Sequence, residues 1–198
     1  MKVLMNMQAM KPSAFIYNIS SPRHMVIFYR DKKKARKIEF QFILNGLLKR
    51  QHCIYLTHGN TKNIENDMEK FGINVDRFLE KNLLHIYKIR DPFKDPKGVM
   101  HGYRSVIKQI LADSKPPYRI AGRLIEDLST KEAVKAELQM EHSFHNNFEN
   151  FDGHVLCSYP YDDIEPTQRS KWVSSVISEH NAAVFLPQHL EGISFNLP

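Results

Sequence analysis

Six basic residues crowd one short stretch of this chain: Arg30, Lys32, Lys33, Lys34, Arg36 and Lys37. Point charges at the start of a helix attract phosphate, so Lys32, Lys33 and Lys34 make a candidate anion-binding set, although such a run also reads as an ordinary solvated helix face. Farther along, Glu141, His145 and Glu149 recur at every fourth position, with His142 beside them. That spacing brings carboxylate and imidazole groups onto one helical face, as a metal ion requires, but helices supply it often and no second segment offers evident partner ligands. No bound metal and no cofactor are therefore expected. Cys53 and Cys157 both lie in apolar runs. A nucleophilic thiol needs an exposed, electropositive setting with a base in reach, so both read as reduced packing thiols, neither nucleophiles nor a disulfide. The chain has no G-x-S-x-G elbow, C-x-x-C pair or G-x-G-x-x-G fingerprint. Hydrolase, thiol-redox and dinucleotide chemistry thus lack motif support.

The elements that must position these groups follow from periodicity. Residues 25–29 and 53–57 are continuous apolar runs, which suit strands buried on both faces. Between them, residues 33–50 carry Ala35, Ile38, Phe42, Ile43 and Leu47 at helical spacing. A helix over 61–70 stops at Phe71-Gly72, a glycine C-cap, and a short helix covers 75–81. Strand three is expected over 83–89, a loop broken by Pro92 and Pro96 over 90–98, and a helix over 99–114 ended by Pro116-Pro117. Residues 118–124 read as strand four, after which Ser129 and Glu132 give a capping box to a helix reaching about Asn150. A strand over 154–159, a helix with Pro166 in its first turn, and a last strand over 183–186 complete the order. Such alternation predicts an N-terminal extension over 1–22 and a single α/β domain over 23–198, a mainly parallel sheet with helices on both faces.

In an open parallel sheet, ligands bind beyond the carboxyl ends of the strands. Those ends present Tyr29 with Arg30 and Asp31, Thr57 with His58 and Asn60, Arg90 with Asp91, Arg123 with Glu126, and Tyr159 with Tyr161 and Asp162. This polar, aromatic rim is the candidate ligand site, set against the plainer reading that loop residues are ordinarily polar.

Several longer stretches resemble known proteins. A helix ending "QFILNGLLKR", a strand "CIYLT", a helical stretch "IENDMEKFGINVDRFLEKN" and a strand "LLHIYKI" are similar to the KaiC/RecA-like pattern. Over the span from His24 to about Leu186, "HMVIFYRD", "YRIAGRL", Glu141 in the following helix, "VLCSYPYDD" and "SEHN" resemble the MEDS domain, a sensory domain of methanogens and methylotrophs. The resemblance implies a RecA/KaiC-like three-layer sandwich, and it adds His24, Glu141 and His180 to the candidate ligand residues. It departs from an active ATPase. A Walker A loop needs glycines whose N–H groups wrap phosphate, whereas residues 30–37 contain none. The strand that would carry a magnesium-binding aspartate reads Tyr118-Arg119-Ile120-Ala121-Gly122. The expected fold therefore lacks a P-loop, and the protein is not expected to be an enzyme.

The resemblance implies a non-catalytic sensor that binds a small-molecule ligand and acts through a separate signalling or transcription-regulating protein, or through an oligomer. The alternative is a residual nucleotide-binding KaiC-like protein with little or no turnover. The longest apolar runs fall far short of the ~20 residues needed to span a bilayer, and the opening segment lacks a signal-peptide core, so a cytoplasmic location away from membranes is expected. A net charge of +6 favours an anionic partner, but the lysine cluster lacks the interleaved aromatics of a nucleic-acid surface.

Overall fold

The computed structural model describes residues 9–197, so the first eight residues of the expected extension lie outside the described residues. The strands are β1 (Arg23–Tyr29), β2 (His52–Thr57), β3 (Leu84–Lys88), β4 (Tyr118–Gly122), β5 (Gly153–Pro160), β6 (Ala182–Leu186) and β7 (Ile193–Asn196). They form one sheet in the order β3-β2-β4-β5-β1-β6-β7. Every adjacent pair is parallel except β6 with β7.

The helices are α1 (Pro12–Tyr17), α2 (Lys32–Leu48), α3 (Thr61–Phe71), α4 (Val75–Glu80), α5 (Val99–Leu111), α6 (Lys131–His145) and α7 (Arg169–Ser178). They explain why β1 reads as an unbroken apolar run, because successive side chains point to opposite faces and both faces are covered. On one face, Phe15, Phe40, Phe42, Ile43, Met68 and Val75 from the first four helices pack with Met25, Ile27 and Leu156. On the other, Met140, Trp172 and Val176 pack on Val26, Phe28 and Tyr159, while Val106 and Ile110 of α5 meet Ile54 and Ile120. The result is the three-layer, mainly parallel α/β architecture expected of a KaiC/RecA-like fold.

Local chemistry sets the helix ends. The Asp31 carboxylate caps α2, and Gly72 ends α3 at φ +105°, where glycine avoids the Cβ penalty. Three expectations shift. Thr130, not Ser129, caps α6 by accepting the Ala133 N–H, because Ser129 is already turned back onto Asp127. Helix α6 ends at His145, so the face expected to align Glu141, His145 and Glu149 does not form; Glu149 sits in a separate 3₁₀ turn. Pro166 lies in the turn before α7, not inside it. Two short elements were not foreseen. Helix α1 buries Phe15 and Ile16, and Met10 bridges to Ser194 of edge strand β7. Six and four residues are too few to show a readable period.

A fully buried arginine anchors α2 to the sheet. Arg119 donates to Gln51 Oε1 at 2.9 Å and to the Phe42 carbonyl at 3.0 Å, with its guanidinium 4.7 Å from the Phe42 ring. Gly46 of α2 makes the room, since a Cβ there would stand 2.6 Å from Arg119 Cδ.

Candidate functional site

The carboxyl ends of β1, β2, β4 and β5 surround a crevice of about 630 Å³. Tyr29, Arg30, His58, Arg123 and Glu126 of the expected rim line it, as does Lys32. Its inner wall comes from residues that strand-end reasoning did not single out: Arg36 and Glu39 on α2, Tyr55 on β2 and Ser158 on β5. Glu39 is buried and accepts hydrogen bonds from the Tyr55 hydroxyl at 2.6 Å and the Ser158 hydroxyl at 2.5 Å. Arg36 Nε stands 3.6 Å from Glu39 Oε2, and its guanidinium lies 5.6 and 5.7 Å from the Phe40 and Tyr55 ring centres. Two buried nitrogens here, Arg36 Nη1 and His58 Nε2, have no hydrogen-bond partner among the described residues.

Electrostatics differ between wall and rim. Burial lowers the His58 pKa despite nearby Glu126 and Asp91, so its ring is neutral at neutral pH. Burial raises Tyr29, with Arg123 opposing. At the rim the charges are exposed and paired, Arg30 with Asp162 at 3.3 Å and Lys94 with Glu126 at 3.5 Å. Gly122 shapes the floor: its φ is +142°, and an added Cβ would stand 2.7 Å from Leu56 Cβ, so only glycine lets β4 leave the sheet beside β2.

The lysine set does not act together. Only Lys32 lines the crevice; Lys33 is exposed and outside it, and Lys34 Nζ donates to the carbonyls of Pro187, Gln188 and Leu190 at 3.2, 2.8 and 3.2 Å. Consecutive helical residues fan around the axis, so three adjacent lysines cannot converge on one anion. Asp31 is not a ligand residue facing the crevice either. Its carboxylate accepts the N–H groups of Lys33 and Lys34 at 2.9 and 3.2 Å, taking the position a bound phosphate would use. Only Arg30 and Asp31 separate β1 from α2, too little chain to wrap a phosphate in backbone N–H groups.

His24, Glu141, Tyr159 and His180, expected in the same crevice, lie instead beneath α6 on the opposite face of the sheet. Along β5, Ser158 faces α2 and Tyr159 faces α6, because side chains alternate. His24 is the second residue of β1 and His180 precedes β6, so both belong to the amino ends of their strands, beyond the reach of the carboxyl-end rule. Glu141 Oε2 stands 3.2 Å from His24 Nε2 and 3.6 Å from His180 Nε2, while Oε1 contacts the Tyr159 hydroxyl. That hydroxyl is 2.6 Å from Glu137 Oε1, and Glu137 Oε2 accepts the Ile125 N–H at 3.1 Å.

A phenol has one proton, so Tyr159 satisfies two carboxyl groups only if one of them brings its own. Burial, reinforced by the neighbouring Glu141, pushes Glu137 up to about 8, which identifies it as the protonated partner at neutral pH. Burial alone would raise Glu141 as well, but attraction to the His180 ring in its protonated form and the hydrogen bonds from His24 and the Tyr159 hydroxyl outweigh it and hold that pKa low. Burial also pushes His180 down to about 3, and its Nδ1 lies 2.7 Å from the Val176 carbonyl. Cys157 Sγ is 3.5 Å from His24 Nε2.

Arg36, Glu39, Glu137 and the setting of Cys157 were missed by strand-end reasoning. A signal did exist for the acids: Glu39 stands between Ile38 and Phe40, and Glu137 and Glu141 fall in register with Ala133, Val134 and Met140, on faces that otherwise bury apolar groups. A buried carboxylate needs partners, so an acid on an apolar face marks a polar network. No such signal distinguishes Cys157, which sits in a strand as any packing thiol would.

Comparison with known proteins agrees with this architecture. A KaiC-like protein from the hyperthermophilic archaeon Pyrococcus horikoshii OT3 superposes with a TM-score of 0.56 and 11% identity, over 87% of this chain and 76% of that one. At that identity the likeness speaks for the fold. No curated protein matches the chain. Among the described residues no helix is long and apolar enough to cross a membrane. A family model described as the MEthanogen/methylotroph, DcmR Sensory domain matches residues 23–175, most of the sheet and both helical layers, and the chain belongs to this MEDS family of sensory domains.

Proposed function

We propose that this chain is a non-catalytic sensory domain that binds a small polar ligand in the carboxyl-end crevice. The observation that carries the reading is the pair of buried, unpartnered nitrogens, Arg36 Nη1 and His58 Nε2, on side chains that line a cavity of about 630 Å³. A buried donor without a partner costs about 1–3 kcal/mol, which a ligand offering an acceptor group would recover. A carboxylate or carbonyl compound fits this wall better than a hydrocarbon does. The capped, two-residue turn from β1 to α2 weighs against a nucleotide triphosphate at that position.

Transmission would run through α2. This helix carries Arg36 and Glu39 into the crevice, and its far side is tied to the N-terminal segment by Asn45 to the Ile16 carbonyl and Lys49 to the Ile19 carbonyl, both at 3.2 Å. A ligand that repositions Arg36 would bias this contact and so the surface offered to a separate signalling or transcription-regulating protein, or to a second copy. The test is thermal unfolding of wild type and Arg36→Ala against a panel of small carboxylates, neutral polar compounds and ATP with magnesium. A ligand at one hundred times its Kd should stabilise the native state by about 2.7 kcal/mol. Stabilisation by a carboxylate or carbonyl compound that vanishes in Arg36→Ala supports the reading. No response across the panel, or a response indifferent to the substitution, defeats it.

A further inference from the structure

We propose that His24, Glu141, Cys157 and His180 form a binding site for a zinc-class divalent transition metal, separate from the crevice. One ligand atom from each residue, two imidazole nitrogens, a carboxylate oxygen and a sulfur, lies within 4.8 Å of the others. The separations are 3.2 Å for His24 Nε2 to Glu141 Oε2, 3.5 Å for His24 Nε2 to Cys157 Sγ, and 3.6 Å for His180 Nε2 to Glu141 Oε2. Ligands about 2.0–2.3 Å from a tetrahedral ion stand at edge lengths of this size. The four come from β1, β5, α6 and the turn before β6, so the tertiary fold itself brings them together.

The second observation is the orientation of His180, which is 3% exposed. Its Nδ1 lies 2.7 Å from the Val176 carbonyl, which accepts the N–H of that nitrogen. The proton is thereby assigned to Nδ1, and the lone pair of Nε2 points into the cluster, where that atom has no hydrogen-bond partner. Two acceptors, His180 Nε2 and Glu141 Oε2, then face one another in a dry interior, an arrangement that a cation between them would resolve. Fixing one imidazole nitrogen on a backbone carbonyl while the other points at the ion is the usual support of a metal-bound histidine. On the far side of Glu141, the Tyr159 hydroxyl holds the other carboxylate oxygen. Phe144 and Phe148 flank the His24 ring at 4.8 and 5.5 Å, closing the cluster with apolar groups.

The set of two nitrogens, one oxygen and one sulfur suits Zn²⁺ or Co²⁺ better than Mg²⁺ or Ca²⁺, which prefer oxygen. The experiment is titration of tag-free, chelator-treated protein with Co²⁺ and then Zn²⁺, followed by absorption spectroscopy and by metal analysis after gel filtration. One equivalent of Co²⁺ should bind with intense tetrahedral d–d bands and a sulfur-to-cobalt charge-transfer band, and Zn²⁺ should abolish both. Cys157→Ala should remove the charge-transfer band while circular dichroism stays native, and His180→Gln should weaken binding by about 10–100-fold or more. The wild-type spectrum decides the matter even if a variant fails to fold. No stoichiometric metal, or a bound Co²⁺ whose spectrum is octahedral and free of sulfur charge transfer, would overturn the site and leave the cluster as a hydrogen-bonded core network.

Discussion

Two polar regions lie on opposite faces of the same sheet and treat charge differently. The crevice at the carboxyl ends is open, its rim charges exposed and paired across water, with Arg30 and Asp162 each about half exposed. The network beneath α6 is closed: His24 and His180 side chains are fully buried and Glu141 nearly so. In water an ion pair gains little, because solvent competes for both partners. In the interior each group depends on its neighbours, since an orphaned charge cannot be rehydrated. The crevice can therefore exchange partners with a ligand, whereas the network must be satisfied from within or by a bound ion.

That contrast can be broken most forcefully at Glu141. Glu141→Ala should destabilise the metal-free protein by about 3–5 kcal/mol in urea unfolding, because it takes the buried carboxylate away from His24 Nε2 and leaves the Tyr159 hydroxyl with Glu137 alone. A loss below about 1 kcal/mol would show that the two regions do not differ in this way.

The pH dependence of Glu137 sharpens the same point. Its folded pKa, near 8, lies above the unfolded value of 4.5. Between those values the native state binds a proton that the unfolded chain does not, so this group's contribution is complete below pH 4.5 and is lost as pH rises through about 8. Glu137→Gln keeps the neutral donor and removes the titration. The stability gap between wild type and Glu137→Gln, measured by chelator-treated urea melts at pH 5 and pH 8, should move in favour of the variant as pH rises. Parallel profiles would refute the protonated assignment.

Smaller effects are expected across the sheet. Arg36→Ala should cost roughly 1 kcal/mol, since Glu39 keeps the Tyr55 and Ser158 hydroxyls and the loss is packing over two rings plus a partly solvated pair. Its larger consequence is loss of the ligand response in thermal unfolding. Arg30→Ala, at an exposed rim pair, should change stability by less than about 0.5 kcal/mol. A thermal shift there comparable with that of Glu141→Ala would mean that the rim is structural and not a displaceable entrance.

Much of this molecule was legible in its residues. Apolar runs such as those within β1 and β2, helical spacing in α2, the Gly72 cap and the alternation of elements were enough to predict a mainly parallel sheet between two helical layers. Tyr29, Arg30, His58, Arg123 and Glu126, nominated by the carboxyl-end rule, line the crevice, because a strand's end is local information. The same rule misplaced Tyr159, since proximity along the chain does not say which face of the sheet a side chain takes.

What tertiary structure alone decided is which polar groups meet. His24 and Cys157 are 133 positions apart, yet the pairing of β1 with β5 brings their side chains together. Glu141 and His180 then reach the same point from a helix and a turn. Sequence by itself determined the period, and with it the layers. Strand order and register, which depend on long-range packing, determined that four scattered residues share one buried pocket while three adjacent lysines share none.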